Sequence, residues 1–302
     1  IFPDSSVQNR VICLTGLGES KGFTALISDA VPNLHFIAGS QCFPLKLYEP
    51  EPAAPQDSGT PTGKKPQGDL FSQQATGLTS DLFEQAPDQP RYTVKDGISD
   101  AGLAHFQAAY PTETISKEDL FYYIYGLLHS EDYKAQYADN LTKELPRIPA
   151  VKQAADFWAF SKAGRELAEL HIHYETQTHY PVTLDCGSKK LADLQDKDFY
   201  VTKMKFAKKD DKSTVIYNHA ITIKAIPLAA YDYVVNGKPA LEWVMERQGV
   251  SPHKDSGIVN DANDWAIETM KNARYPLELF QRVITVSLRT MEIVRGLPGL
   301  GV

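Results

Sequence analysis

The segment Tyr231–Asn263 has the sequence YDYVVNGKPALEWVMERQGVSPHKDSGIVNDAN and carries the most informative pattern of the chain. Pro239 suits a first helical position, where its fixed φ angle and missing N–H cost nothing. Apolar side chains then recur at helical spacing and predict an amphipathic helix. They are Ala240, Leu241, Val244 and Met245. After Gly249, the residues Lys254–Gly257 and Asn260–Asn263 favour tight turns.

The N-terminal part of the chain is predicted to form strands. Short β-prone, apolar runs cover residues 11–15, 22–28, 34–38 and 42–48. Residues 49–91 are instead rich in Pro, Gln, Ser, Thr, Gly and Asp. Because such a segment buries too little apolar surface to offset its ordering entropy, we expect a long flexible insert or loop, with a short helix near residues 81–84.

Helical periodicity dominates from residue 116 onwards. Ser116 and Asp119 have the spacing of an N-cap and its capping box. One predicted helix follows this cap. Three further helices are predicted over residues 131–144, 151–173 and 277–295. Between them, residues 199–207 and 214–226 flank the polar turn 208–212 and predict one β-hairpin.

These elements do not alternate regularly, which favours an α+β fold over a doubly wound sheet. We expect a mixed β-sheet and hairpin region together with a helical subdomain. The predicted organisation is an N-terminal β region over residues 1–48, a flexible insert over residues 49–91 and an α+β specificity region over residues 92–302.

The overall composition limits the kinds of protein that this chain can be. The chain has 302 residues, 42% of them hydrophobic, which is enough for a substantial core. It has no apolar run of membrane-spanning length, and we expect no membrane contact. Three widely spaced cysteines indicate reduced thiols and a cytoplasmic location. The first residue is Ile1, which indicates a piece of a longer protein. The net charge of −7 argues against a uniformly basic DNA-binding surface.

Two segments invite a catalytic or metal-binding interpretation. The glycine-rich loop Gly16–Gly22 follows a strand, but Lys21 precedes the last glycine and the next residues are β-prone, so a hairpin is favoured over a phosphate loop. His171 and His173 point to different faces of a helix, so a helix end is favoured over a metal site. We see no paired carboxylates, no nucleophile elbow and no Asn-Pro-Pro-Tyr signature. We therefore expect no catalytic residue and no metal site in this chain.

Local positive charge is the remaining candidate site. Five lysines and two aspartates give the window 203–212 a charge of +3. The lysines are Lys203, Lys205, Lys208, Lys209 and Lys212. A two-stranded ribbon with lysines along one face and at its tip can contact DNA phosphates or enter a groove. Alternatively, the lysines only keep an exposed hairpin soluble. Arg147, between two prolines, is a second candidate contact, with a salt bridge within the protein as the alternative.

Several segments together resemble one known family. They are NRVIC at 9–13 with Gly16, SQCFP at 40–44, FYYIYGLLH at 121–129, ELPRIP at 144–149, FW at 157–158 with GREL at 164–167, and the 231–263 segment. In this order they resemble the C-terminal specificity region of Type ISP restriction–modification enzymes, which join nuclease, helicase, adenine methyltransferase and target recognition in a single chain.

The resemblance implies a target recognition domain that binds double-stranded DNA and contacts the upstream methyltransferase domain of its parent chain. Recognition would direct adenine methylation and translocation-coupled cleavage by the upstream domains. It implies S-adenosylmethionine, ATP and magnesium as cofactors of the parent, and none in this fragment. The alternative is a non-catalytic scaffold or protein-interaction domain of a larger enzyme, whose aromatic helices would dock a partner.

Overall fold

The computed structural model describes residues 1–4, 6–33, 36–51 and 92–302. Its first sheet has the strand order β2-β1-β3, with β1 at Val11–Leu14, β2 at Ala25–Ser28 and β3 at Gln41–Pro44. Both neighbours pair antiparallel with β1. All four residues of β1 are buried because each face of this central strand has a covering core. The loop from Gly16 to Gly22 connects β1 to β2, which confirms the hairpin interpretation.

Three strand predictions in this region need correction. The predicted strand at 22–28 begins only at Ala25. Residues 36–38 of the predicted strand at 34–38 form bends and the start of a turn, and residues 34–35 lie outside the described residues. The predicted strand at 42–48 is divided, because after β3 the chain enters β4 at Lys46–Pro50, which pairs with β5 at Tyr92–Asp96.

The chain segment between β4 and β5 is the predicted insert. Residues 49 and 50 already belong to β4, so an insert can begin only after this strand. Residues 52–91, including the predicted helix near residue 81, lie outside the described residues. The division of the chain into three regions stays a prediction.

The helical part contains α1 at Asp100–Ala109, α2 at Lys117–His129, α3 at Glu131–Gln136, α4 at Ala138–Leu141 and α5 at Ala154–Ile172. The capping box at Ser116 is confirmed: its hydroxyl accepts the Asp119 N–H at 3.1 Å, and the Asp119 carboxylate accepts the Ser116 N–H at 3.0 Å. The single helix predicted over 131–144 is wrong, since a non-helical Tyr137 separates α3 from α4.

Two glycines let α2 and α5 pack with their backbones in contact. A Cβ atom on Gly126 would lie 2.2 Å from the Phe160 carbonyl oxygen, and one on Gly164 would lie 1.9 Å from the Tyr122 carbonyl oxygen. Both distances are far below van der Waals contact, so any side chain at either position forces the helices apart. This helix pair forms the main core together with β1, β2 and α1.

The second half builds a four-stranded sheet of order β6-β9-β8-β7, with β6 at Thr183–Asp185, β7 at Lys205–Lys208, β8 at Asp211–Ile216 and β9 at Thr222–Lys224. The hairpin prediction was therefore only partly right. Its second arm is two strands, β8 and β9, which pair with each other because the chain reverses around Asn218. Residues 199–204, predicted as strand, precede β7 without strand structure.

The C-terminal elements cover this sheet and complete its core. They are β10 at Val234–Val235, β11 at Lys238–Pro239, α6 at Ala240–Arg247, β12 at Val250–Pro252, β13 at Val259–Asp261, α7 at Ala262–Glu268 and α8 at Tyr275–Arg295. Pro239 is the N-cap of α6 rather than its first helical residue. The small antiparallel sheets and packed helices confirm the α+β prediction. No helix in the described part of the chain is long and apolar enough to cross a membrane.

A buried polar cluster connects the two cores through α5 and α8. His171 lies between Tyr125, whose hydroxyl oxygen is 2.6 Å from Nδ1, and Thr290, whose Oγ1 is 3.0 Å from Nε2. The Tyr233 ring stacks on the imidazole at 5.4 Å. His129 donates from Nδ1 to the Tyr125 carbonyl at 2.8 Å. Burial lowers the pKa of His129 to about 4 and that of His171 well below its ordinary value, so both imidazoles are neutral.

The structure also relates two cysteines that are distant in sequence. Cys13 of β1 and Cys42 of β3 are directly opposed in the antiparallel ladder, with their sulfur atoms 3.8 Å apart. Both are free thiols, as is Cys186. Burial raises the pKa of Cys13, which keeps that thiol protonated.

Candidate nucleic-acid interface

The β7–β8 hairpin turns through Lys209 and Asp210, and its side chains Lys205, Lys208 and Lys209 are exposed. Lys205 pairs with Ile216, Phe206 with Val215, and Lys208 with Asp211, with a register shift between Phe206 and Lys208. Phe206 faces inward and packs near Tyr231, with ring centroids 5.9 Å apart. A bulge of this kind increases local twist and re-aims the side chains beyond it.

Four of the five predicted lysines are exposed and lack a salt bridge within the described residues: Lys203, Lys205, Lys208 and Lys209. Lys203 precedes β7, so the shared strand face predicted for it and Lys205 is not observed. At the tip, Asp211 partly offsets the charge of Lys208. The Ser213 hydroxyl and N–H lower the pKa of Asp211 most, and Lys208 lowers it further, so this carboxylate stays ionised. With Asp210 included, the tip at residues 208–211 has two lysines and two aspartates, so the excess positive charge of the hairpin comes from Lys203 and Lys205.

Lys212 has a different environment from the other four. Its ammonium lies 2.7 Å from a Glu242 carboxylate oxygen on α6. It also lies over the aromatic rings of Phe206 and Tyr231, at 5.8 and 5.3 Å from their centroids. These contacts direct its charge toward the protein, because a carboxylate and two ring faces already stabilise it. A phosphate contact by Lys212 stays a prediction that this geometry disfavours.

Arg147 lies apart from the hairpin, in the loop after α4. Its guanidinium is 3.0 Å from Glu144, while 86% of the side chain is exposed. The Asn140 side chain lowers the pKa of Glu144 most, and Arg147 adds to this effect. The Arg147 carbonyl accepts the Tyr133 hydroxyl at 2.7 Å, which fixes the backbone of this loop. The salt bridge that we considered is thus present, and DNA contact by Arg147 stays a prediction.

A second hairpin, β12–β13, lies beside the lysine-bearing one. The Val250 N–H donates to the Thr202 carbonyl at 2.9 Å. A Cβ atom on Gly249 would lie 2.7 Å from that same oxygen, so the close approach requires glycine. The buried Asn263 side chain accepts the Val201 N–H and donates to the Val201 carbonyl, both at 2.9 Å. These contacts fix the start of the segment leading to β7 against the base of β12–β13.

The β12–β13 hairpin presents polar side chains, and our sequence interpretation described this segment only as turns. His253, Lys254 and Asn260 are exposed, and the Asn260 amide nitrogen lies 3.0 Å from His253 Nε2. The signal for a hairpin was present in the sequence: β-prone Val250 and Val259 flank a turn whose Gly257 has a φ of +68°.

The two segments considered for chemistry have structural roles. His171 belongs to the buried cluster, whereas His173 is half exposed beside Glu169 at 3.4 Å. Backbone contacts of the Gly16 loop hold it to its neighbours: the Gly16 N–H donates to the Ala38 carbonyl at 2.8 Å, and the Gly18 N–H to the Thr142 carbonyl at 3.2 Å.

Comparison with known families decides what kind of domain carries these hairpins. The family model of the Type ISP C-terminal specificity domain matches residues 1–279. The chain belongs to this family. The match includes both hairpins and extends into α8, so the specificity domain comprises both cores.

Solved structures of longer proteins contain regions similar to this specificity domain. The Type ISP restriction-modification enzyme LlaGI, a nuclease-deletion mutant in complex with a DNA substrate mimic, is 33% identical with a TM-score of 0.70, covering 98% of this chain and 22% of that one. The ATP-dependent Type ISP enzyme LlaBIII bound to DNA is 33% identical with a TM-score of 0.74, covering 99% and 16%. The DrdV–DNA complex is 29% identical with a TM-score of 0.71, covering 99% and 25%.

The specificity domain thus spans a quarter or less of those three chains. No curated protein sequence matches it significantly. The predicted family resemblance is confirmed by the family match and by these structures together.

Proposed function

We propose that this specificity domain binds duplex DNA and recognises the target sequence of a longer restriction–modification protein. The observation that carries the proposal is the pair of adjacent hairpins, one with four exposed lysines and one with exposed polar side chains. The similar regions of LlaGI, LlaBIII and DrdV come from structures that contain DNA or a DNA mimic, which supports the same role here.

The proposed contacts divide into two chemical groups. Lys203, Lys205, Lys208 and Lys209 would neutralise phosphates and set the register of the domain on the duplex. His253 and Asn260 carry the donors and acceptors that distinguish base edges in the major groove, which admits a two-stranded ribbon. The net charge of −7 is compatible with this role because residues 203–212 have a local excess of positive charge.

The chemistry of the parent protein would lie outside this chain. We propose that an upstream methyltransferase domain modifies an adenine that this domain helps to select, and that further domains translocate and cleave unmodified DNA. S-adenosylmethionine, ATP and magnesium would serve those domains. The hairpin side chains would supply orientation and sequence preference, with no bond made or broken by them.

A second candidate function is docking of a partner domain. Trp265 and Ile267 on α7 are 55% and 54% exposed, and Ile258 and Val259 near β13 are exposed to a similar degree. Exposed apolar side chains of this size, on elements consecutive in the chain, occur at many protein interfaces. This surface is compatible with DNA binding at the hairpins, since a specificity domain must also contact the rest of its own chain.

Fluorescence anisotropy with the full chain tests the DNA proposal. Titration of labelled duplexes drawn from a random pool, followed by enrichment of bound sequences, should yield one preferred site. The logarithm of the binding constant should fall linearly with the logarithm of salt concentration. A chain that binds all duplexes equally, or binds none at low salt, would reject sequence recognition by this domain. Capture of a methyltransferase fragment without DNA binding would instead favour the docking role.

A further inference from the structure

A large cleft lies between the first sheet and the C-terminal helices, away from the lysine-bearing hairpin. Its volume is about 1000 Å³, which is large enough for a small organic ligand. The floor is apolar and includes Ile27 of β2 together with Val244 of α6 and Val283 of α8. Aromatic rings line it as well, among them Tyr174 and Trp243. An apolar cavity with several aromatic rings favours a ligand with a flat ring system.

Cationic groups surround the Trp243 ring. Lys238 Nζ, Arg247 Cζ and Lys21 Nζ lie 4.3, 5.5 and 5.7 Å from its centroid. The indole N–H donates to the Val235 carbonyl at 2.7 Å, which fixes the orientation of the ring.

Two carboxylates lie near these three cations. Glu246 pairs with Lys238, which lowers the pKa of that carboxyl, and also lies 3.9 Å from Arg247 Nε, while Glu19 lines the cleft. The charged groups together have one net positive charge, and Lys21 and Arg247 both line the cleft. An anionic group on the ligand would therefore be stabilised at this side.

The side-chain oxygen of Asn236 is an acceptor that lacks a hydrogen-bond donor within the described part of the chain. Asn236 occupies the turn between β10 and β11 with a φ of +51°, and its N–H donates to Thr24 Oγ1 at 3.0 Å. Asn236 lines the cleft, and its side-chain oxygen is buried without a hydrogen-bond partner among the described residues. Because a buried acceptor without a donor is costly, a ligand N–H at this position would be favoured.

We propose that this cleft binds a nucleotide whose base carries an exocyclic amino group. The base lies against the aromatic wall, its amino group donates to Asn236 Oδ1, and its phosphate contacts Lys21 and Arg247. The same chemistry is offered by a nucleotide unpaired from a DNA duplex and by a free nucleoside monophosphate. This site is separate from the hairpin surface and does not depend on that proposal.

Calorimetric titration of the full chain with adenosine monophosphate, uridine monophosphate and inorganic phosphate tests the proposal. Adenosine monophosphate should bind saturably and more tightly than the other two, because uracil presents a carbonyl where adenine presents an amine. Arg247→Gln should weaken this binding about tenfold through the lost charge-assisted contact. Lys162→Gln, an exposed lysine on α5, is the charge-matched control and should leave it unchanged.

Asn236→Gly tests recognition of the base. Glycine fits the positive φ of this turn, so the fold is kept while the acceptor is removed. The variant should bind adenosine monophosphate more weakly and narrow its preference over uridine monophosphate, whereas stacking on the aromatic wall still favours the larger adenine ring. In the second arm, a duplex with one unpaired 2-aminopurine should change fluorescence on binding, and less so with Arg247→Gln.

The two arms separate the sources of the nucleotide. A response only to the monophosphate assigns a free nucleotide, and a response only to the unpaired base assigns a nucleotide of the duplex. No saturable response in either arm overturns the proposal. Phosphate binding as tightly as the nucleotide, or both variants behaving as the native chain, overturns it as well. Binding of a fully paired duplex is measured separately and reports only on the hairpins.

Discussion

The Lys208→Gln/Lys209→Gln double variant tests the electrostatic role of the β7–β8 turn. Both side chains are exposed, and neither has a salt bridge among the described residues. Glutamine keeps most of the side-chain length and removes the charge, so the hairpin should fold unchanged. Lys212 stays in place with its Glu242 contact.

The expected loss of DNA affinity can be calculated from counterion release. Each phosphate contact to duplex DNA contributes about 0.9 to the slope of log binding constant against log salt concentration. Loss of two contacts should reduce that slope by about 1.8. If the electrostatic contribution vanishes near 1 M salt, binding should weaken about 60-fold at 0.1 M salt and about 20-fold at 0.2 M salt. Partial neutralisation of Lys208 by Asp211 makes these values upper limits.

Anisotropy titrations of one duplex at four salt concentrations measure both quantities. The matched control is Lys152→Gln/Lys162→Gln, which removes two exposed lysines from the other core. A second control is Lys212→Gln, which we expect to leave the slope unchanged because Glu242 already neutralises that charge. Equal slopes for the turn variant and the Lys152/Lys162 control would refute our placement of the duplex on this hairpin.

Three further predictions concern the architecture that holds the hairpins. Gly164→Ala should lower the free energy of unfolding by about 3 kcal/mol or more, because its Cβ would lie 1.9 Å from the Tyr122 carbonyl. Asn263→Ala should lower it by about 2–3 kcal/mol and weaken DNA binding, because both polar backbone groups of Val201 lose their partner. Acidification should destabilise the fold between pH 6.5 and about 4, because His129 titrates at about 4 when folded and at about 6.5 when unfolded. The native state binds fewer protons in this window, so stability is complete above it and falls with pH by up to about 3 kcal/mol.

Denaturant unfolding at several pH values checks all three. Gly102→Ala, in the first turn of α1, is the control for Gly164 and should stay within about 1 kcal/mol of the native chain. Asn263→Asp would place a buried carboxylate oxygen against the Val201 carbonyl and the Asp261 carboxylate, so it should destabilise the fold at least as much as alanine. A His129→Gln chain should lose part of the acid sensitivity. Native stability that is constant from pH 6.5 to 4 would contradict the neutral, buried state of this imidazole.

Local sequence patterns were sufficient to predict those elements that are stabilised by contacts between residues close together in the chain. The box at Ser116 and Asp119 defines the start of α2, because its donors and acceptors lie three residues apart. The amphipathic pattern after Pro239 and that of α8 gave helices close to the observed bounds. Helix α1 was missed because, of its ten residues, only Phe106 is buried, so it has almost no apolar periodicity. The family could likewise be inferred from the order of several short segments.

The sequence by itself determined the α+β class, most helices, the family and the presence of a lysine-rich hairpin. Only the tertiary structure decided which lysines are available to DNA. Lys212 is directed inward by Glu242, thirty residues later in the chain. The second hairpin lies beside the first because Asn263 binds the backbone of Val201, sixty-two residues earlier. The cleft at Trp243 likewise combines strands and helices from both ends of the chain. Local patterns encode such arrangements poorly, since their free energy comes from contacts that exist only after the cores have packed.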